Sequence, residues 1–331
     1  MNTRKLGTEG LEVSSVGLGC MGMSDFYGAH NDADSMATLS AAIDSGVTFW
    51  DTSDAYGPYT NEQLLGRYFK DNPGARNKVI VATKFGILRN TSGDFNGFDG
   101  RPEYLQQACD DSLKRLGVDH IDLYYQHRMD PAVPIEETVG AMAELVTQGK
   151  IRYLGLSEAS ANTLERASKV HPISALQSEY SLWSQHLEES VLPACKKLGI
   201  GFVSYSPLGR GFLTGAIKSR DDLEAGDWRL QNPRFSEENF QQNLVLVDRI
   251  KEMALEKQCT TAQLALAWIL HQGADYVSIP GTRSPTRVQE NAKAMEVTLT
   301  TEELSQIATN ISTDLVFGQR YPEPMMGALE L

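Results

Sequence analysis

The chain has 331 residues, and 30 Lys and Arg stand against 43 Asp and Glu, for a net charge of −13. Apolar residues at 41% and charged residues at 22% describe a globular protein rather than a disordered one, and the negative balance opposes non-specific binding to nucleic acid or anionic lipid. At about 150 residues per domain, the length suits two domains or one large α/β barrel.

The N-terminus, Met1-Asn2-Thr3-Arg4-Lys5, leads into turn-rich sequence without the apolar core of a signal peptide, and no stretch approaches the roughly 20 apolar residues of a membrane span. Cys20, Cys109, Cys195 and Cys259 are far apart and form no CxxC pair. The expectation is a cytoplasmic protein with reduced thiols, no membrane or nucleic-acid partner and no metal site, since no H-E-x-x-H or comparable ligand spacing occurs. Oligomeric state, monomer or homo-oligomer, is left open.

In chain order, residues 4–7 and 11–14 read as a hairpin turning around Thr8-Glu9-Gly10, placed to plug one mouth of a barrel. Short β-branched, apolar runs follow at 15–20, 48–52, 79–84, 121–127, 151–157, 175–179, 201–206 and 276–280. Between them lie runs of helical period, 34–45, 61–69, 103–116, 134–148, 160–170 and 188–198, several ending at a glycine. A last long insert holds two helices, 237–257 and 261–271. Eight buried strands separated by helices fit one closed (β/α)8 TIM barrel with an N-terminal β-hairpin and two extra helices better than two doubly wound sheets. No Pro/Gly/Ser linker divides the chain, so residues 1–331 are read as one domain. Stretches 86–100, 208–235 and 313–331 are too long for plain connections. Their Phe95, Phe98, Trp228, Phe235, Phe317, Tyr321, Met325 and Met326 suggest pocket walls; the alternative is surface loops with scattered aromatics.

Polar residues at the C-terminal ends of apolar strands carry the sharpest signal. Phe49-Trp50-Asp51-Thr52 runs into Ser53-Asp54-Ala55-Tyr56-Gly57, Val81-Ala82-Thr83 ends in Lys84, and Tyr124-Tyr125-Gln126 ends in His127. In a barrel these ends open onto one face, where the active sites of barrel enzymes lie. A lysine ending a buried strand needs a counter-charge, and Asp51 on the adjacent strand supplies it. Carbonyl reduction needs such a group, because hydride arriving at carbon leaves negative charge on oxygen. Tyr56 is read as the general acid, Lys84 as the cation that lowers its pKa from about 10, Asp51 as the ion holding Lys84, and His127 as the orienter of the carbonyl. Taken singly, each has a bland reading: a surface tyrosine, a structural histidine, a buried ion pair.

Two further stretches suit phosphate. Ser206-Pro207-Leu208-Gly209-Arg210-Gly211 follows the seventh strand as a glycine-rich loop with Arg210 as a side-chain clamp. After the eighth strand, Gly281-Thr282-Arg283-Ser284-Pro285-Thr286-Arg287 places Arg283 and Arg287 about a helix N-terminus suited to a ribose 2′-phosphate. The G-x-G-x-x-G of Gly17-Leu18-Gly19-Cys20-Met21-Gly22 is no Rossmann fingerprint, because no helix opens at its last glycine. Its glycines are read as a tight turn where something flat passes close to the backbone. No tyrosine carries the Y-x-x-x-K spacing of short-chain dehydrogenases.

These segments, with Asp122-Leu123-Tyr124-Tyr125-Gln126-His127-Arg128, Gly155-Leu156-Ser157, Ser178-Glu179-Tyr180-Ser181 and Arg287…Glu290-Asn291, resemble the aldo-keto reductase superfamily from the hairpin to about Ile311. The branch resembled is that of the bacterial and plant auxin-induced-protein-like enzymes, which include pyridoxal and perakine reductases. The resemblance implies an (α/β)8 barrel binding extended NADPH, and a tetrad of Asp51, Tyr56, Lys84 and His127. It further implies that Ser157 and Gln177 hold the nicotinamide carboxamide and that Tyr205 stacks on the ring. Ser206, Leu208 and Arg210 would line the pyrophosphate, Arg287 would take the 2′-phosphate, and Glu290 and Asn291 would contact the adenine. Two departures stand out: Glu158 where many members have Asn, and Gly281 where many have Lys, with Arg283 placed to compensate. A nucleotide-sensing role like that of potassium-channel β subunits, and a Schiff-base aldolase using Lys84, are the alternatives.

Overall fold

The computed structural model describes residues 3–28, 30–90 and 92–330. Met1, Asn2, Ala29, Thr91 and Leu331, which fall at the chain start, in the stretch after the first strand, in the 86–100 loop and at the end of the tail, lie outside the described residues.

Eight parallel strands form the sheet: β1 Leu18–Gly19, β2 Phe49–Asp51, β3 Ile80–Phe85, β4 Ile121–Gln126, β5 Ile151–Ser157, β6 Ala175–Glu179, β7 Gly201–Tyr205 and β8 Tyr276–Ser278. Each pairs with its sequence neighbour. The first and last meet through parallel bridges Val16↔Ser278 and Gly19↔Gly281, with the Gly17 amide donating to the Ser278 carbonyl at 2.8 Å. The sheet thereby closes into the TIM barrel that eight alternating units predict. The closure also explains the glycines of the first strand, and corrects their reading as a ligand turn. A Cβ on Gly17 would lie 2.7 Å from the Phe49 carbonyl, and one on Gly19 2.9 Å from the Ile279 carbonyl. What passes close is the neighbouring strand.

Helices α1 Asp32–Asp44, α2 Thr60–Asp71, α3 Pro102–Leu116, α4 Ile135–Thr147, α5 Ala161–Ala167 and α6 Val191–Leu198 follow the first six strands. Their ends are written locally. Asn31 and Ser160 cap α1 and α5 with their side chains, and Pro102 opens α3, which Gly117 closes in the left-handed conformation. The two helices foreseen after β7 are α7 Glu237–Glu256 and α8 Thr261–Leu270. Then come α9 Pro285–Ala292, α10 Thr301–Asn310 and α11 Glu323–Met326. The last two were not foreseen, although Thr300 and Glu303 form a capping box that announces α10.

Alternation along the strands divides the core in two. Trp50, Tyr124, Leu156 and their like face outward to the helices, while Phe49, Ala82, Leu123, Tyr125, Val203 and Val277 fill the barrel interior. Leu6, Leu11 and Val13 of the hairpin, Thr3–Leu6 with Leu11–Ser14, join the interior cluster from below. The hairpin is therefore the plug of the N-terminal mouth, and the opposite mouth is left for chemistry.

The long stretches differ from expectation. Residues 86–100 carry an antiparallel ribbon, Ile87–Arg89 with Phe95–Phe98. Of the aromatics read as pocket walls, Phe95 is 59% exposed and Phe235 is fully buried against Trp183, Phe212 and Phe240. Only Trp228 and Tyr321, with ring centroids 5.9 Å apart, pack beside a predicted site residue, Arg210. The four cysteines are unpaired, and no helix among the described residues is long and apolar enough to cross a membrane.

Candidate active site

Closure of the barrel brings the three polar strand ends and the turn that carries Tyr56 together. Asp51 ends β2, Lys84 lies near the end of β3 and is fully buried, and His127 directly follows β4, its amide donating to the Phe85 carbonyl at 2.8 Å. Tyr56 sits in the turn between β2 and α2. The Lys84 ammonium has three N–H groups and uses all of them: on Asp51 Oδ1, on the Thr52 carbonyl at 2.8 Å and on Tyr56 Oη at 3.2 Å. The Tyr56 and His127 rings meet edge to face with centroids 5.7 Å apart. Ser53 Oγ lies 3.1 Å from His127 Nδ1, which fixes that side of the imidazole and turns Nε2 away from it.

The electrostatics correct one expectation. Burial pushes the Tyr56 phenol above its ordinary value, and the pull of Lys84 in the opposite direction does not overcome it. The reason is that Lys84 already answers Asp51. Burial draws the ammonium down, but Asp51 and Tyr56 together hold it above its usual range. Tyr56 therefore keeps its proton. Burial, with Lys84 and Arg128 adding to it, drives the His127 imidazole well below its ordinary value, so it is neutral. The site thus presents a protonated phenol and an uncharged imidazole, whose Nε2 carries the ring proton in the tautomer in which Ser53 Oγ donates to Nδ1.

Several residues that hold this arrangement escaped the sequence reading. Asp25 accepts from the Gly57 amide at 2.9 Å, and Arg89, paired with Asp25, donates to the Ala55 carbonyl at 2.6 Å. Together they grip the peptide groups on both sides of Tyr56. Glu158 has φ +55° and bonds Arg320 of the tail at 2.7 Å. Glu179 pairs with both Arg210 and Arg234, and burial raises its carboxyl less than Arg210, Arg320 and Arg234 lower it, leaving it far below the usual range. These partners are remote in sequence, so no local signal linked them.

The residues expected to hold a dinucleotide divide into those free to do so and those already engaged. Ser157 Oγ accepts from Arg128 at 3.0 Å, and Gln177 donates its amide to Asp51 Oδ2 at 2.7 Å, which ties it to the tetrad. Tyr205 bonds Tyr321 through the two hydroxyls at 2.9 Å. In the loop after β7, Ser206, Gly209, Arg210 and Gly211 all have positive φ, a curl in which the Gly209 and Gly211 amides bond back to the Ser206 and Leu208 carbonyls at 2.9 and 3.0 Å. Leu208 is half-buried within it. Arg210 is already engaged: its guanidinium lies on Glu179 at 2.9 Å and packs against the rings of Trp228 and Tyr321. Arg283 is likewise engaged, donating to the carbonyls of Gly22 at 3.2 Å and Tyr27 at 2.7 Å, so it ties down the loop after β1. Thr282 accepts from the Ser284 amide. The first turn of α9 has no side-chain cap, and Arg287 within it is exposed and forms no ion pair among the described residues. That combination of open amides and a free guanidinium is what an anion requires. A Cβ on Gly281 would meet the Gly19 carbonyl at 3.5 Å, an ordinary contact, while Glu290 is half-buried and Asn291 buried on α9.

Residues 15–311 match the Aldo/keto reductase family. Among solved structures, the glycerol dehydrogenase of Gluconobacter oxydans is similar at 29% identity and a TM-score of 0.84, over 94% of this chain and 96% of that one. A thermostable aldo-keto reductase solved with the inhibitor epalrestat is similar at 30% identity and a TM-score of 0.74, over 94% of this chain and 100% of that one.

Proposed function

The chain belongs to the aldo/keto reductase family, an oxidoreductase family, and we propose that it reduces aldehydes or ketones to alcohols with NADPH, the whole chain acting as one domain. The observation that carries this reading is the chain of contacts from Asp51 through the Lys84 ammonium to the Tyr56 hydroxyl, beside a neutral His127. Bound NADPH supplies the hydride. The residues of this chain do the rest. His127 orients the carbonyl oxygen by a hydrogen bond, and Tyr56 Oη gives that oxygen its proton. Lys84, fixed by Asp51, stabilises the phenolate left behind. Ser157 and Gln177 lie at the strand ends beside the tetrad, where the carboxamide would be held, and Tyr205 would present its ring to the nicotinamide. Ser206, Leu208 and their loop would meet the pyrophosphate, with Gly281, Thr282, Glu290 and Asn291 lining the adenosine end. Arg287 and the uncapped α9 terminus would take the 2′-phosphate, which favours NADPH over NADH.

A Schiff base on Lys84 would require a neutral amine, and an ammonium with all three donors engaged is a poor source of one. The name of the Gluconobacter relative directs attention to small hydroxylated carbonyl compounds. The experiment is NADPH oxidation at micromolar enzyme with nitrobenzaldehydes, methylglyoxal and pyridoxal. Turnover of at least one is the expected result. NADPH binding with no consumption on any of them would favour a nucleotide sensor and contradict the proposal.

A further inference from the structure

We infer that Arg128 recognises an anionic substituent on the substrate, so that the site is built for aldehydes and ketones bearing a carboxylate. The inference rests on the reading of the site as a carbonyl reductase and adds a substrate class to it.

Arg128 follows His127 at the mouth and is half-buried. One terminal nitrogen, Nη1, does its structural work, donating to the His127 carbonyl at 2.6 Å and to Ser157 Oγ at 3.0 Å. No hydrogen bond from Nε or Nη2 to another described residue accompanies these. Five other arginines around the site each hold a carboxylate: Arg89 holds Asp25, Arg210 and Arg234 hold Glu179, Arg229 holds Asp227, and Arg320 holds Glu158. Arg128 forms no ion pair among the described residues. The groups that act on it electrostatically are the phenols of Tyr205, Tyr321 and Tyr56, and Glu158. Glu158 is already bonded to Arg320 and to the Glu179 amide at 2.9 Å, and the phenols bring no charge while they keep their protons.

A half-buried guanidinium without a counter-ion is poorly solvated, and its free edge is the one that grips carboxylates two-handed. This chain uses that edge elsewhere. Arg101, Arg166 and Arg229 each bind a carboxylate through Nε and Nη2 together, at 2.6–3.0 Å. Arg128 leaves the same edge uncommitted among the described residues, and Tyr205 and Tyr56 are among the groups whose field acts on it.

The test compares the meta and para carboxybenzaldehydes with their methyl esters, reading kcat/KM for each with NADPH. In the native protein at least one acid should exceed its ester by about tenfold or more, as for a charge-assisted pair, and the ratio should shrink as salt is raised. In Arg128→Gln the ratio should fall towards one, and Arg128→Lys, which keeps the charge without the fork, should restore part of it. A purely structural role for the bridge from His127 to Ser157 would lower acid and ester by the same factor and leave the ratio intact, which would overturn the inference. A native ratio near one for both pairs would overturn it equally, and this arm needs no variant to fold. Failure of every acid and ester to react would instead overturn the reductase reading, and the inference with it.

Discussion

At the scale of single residues, a half-buried phenol beside an ammonium is pulled in two directions, and here desolvation is the stronger. Much of the field of Lys84 is answered by Asp51, to which it is bonded. Tyr56 is thereby stored as an acid, which is the form that reduction consumes. The sign of the pH dependence follows. Below the folded value of Tyr56 the proton is present and the rate does not depend on its titration; above it the proton is lost and the rate falls. Because the folded value lies above the ordinary phenol, near pH 10, kcat for reduction should be insensitive to Tyr56 through neutrality and fall only in strongly alkaline solution. A pH profile of kcat under saturating NADPH measures this. A falling limb centred near neutrality, retained with slowly and rapidly reacting aldehydes alike, would mean that Lys84 acidifies the phenol after all.

Among the elements, the turn that carries Tyr56 is held from outside. Asp25, from the loop after β1, and Arg89, from the ribbon inserted after β3, bond the Gly57 amide and the Ala55 carbonyl. A reacting hydroxyl displaced by about 1 Å loses up to about a hundredfold in rate. Arg89→Ala should therefore lower kcat by about tenfold to a hundredfold, while the dissociation constant for NADPH, measured by fluorescence titration, changes far less. An unchanged kcat would show that the turn holds itself. The strand-end residues Asp51, Lys84 and His127 were legible because each is a polar group ending an apolar run, and Tyr56 because it follows the first of them within a short turn. Asp25 and Arg89 were not, since nothing in a loop residue says which distant peptide it will reach. The partners of Arg210 and Arg283 were hidden for the same reason: the sequence displays a guanidinium, but Glu179 in one case and the Gly22 and Tyr27 carbonyls in the other become visible only when the chain is folded. The helices were read from their glycine ends and caps, whereas the ribbon within 86–100 was lost in a glycine-rich stretch with no clean alternation.

For the whole molecule, the decisive event is closure. Separated along the chain, Asp51, Tyr56, Lys84 and His127 mean little; the closed parallel sheet sets their strand ends on one rim, with the hairpin filling the other. The tail completes the rim. Arg320 reaches Glu158 and Tyr321 reaches Tyr205, while the Glu330 carboxylate accepts from the Ser160 amide at 2.9 Å. An acidic chain thus gathers cationic side chains around one mouth, which suits phosphate and carboxylate ligands without making the surface as a whole attractive to polyanions. The claim on which all of this converges is that Tyr56 donates the proton. A single-turnover measurement on Tyr56→Phe, with NADPH prebound and an aldehyde that the native protein reduces, tests it most directly. The account predicts a rate lower by about a hundredfold to ten-thousandfold with NADPH affinity nearly unchanged; a variant that keeps most of the native rate would contradict it.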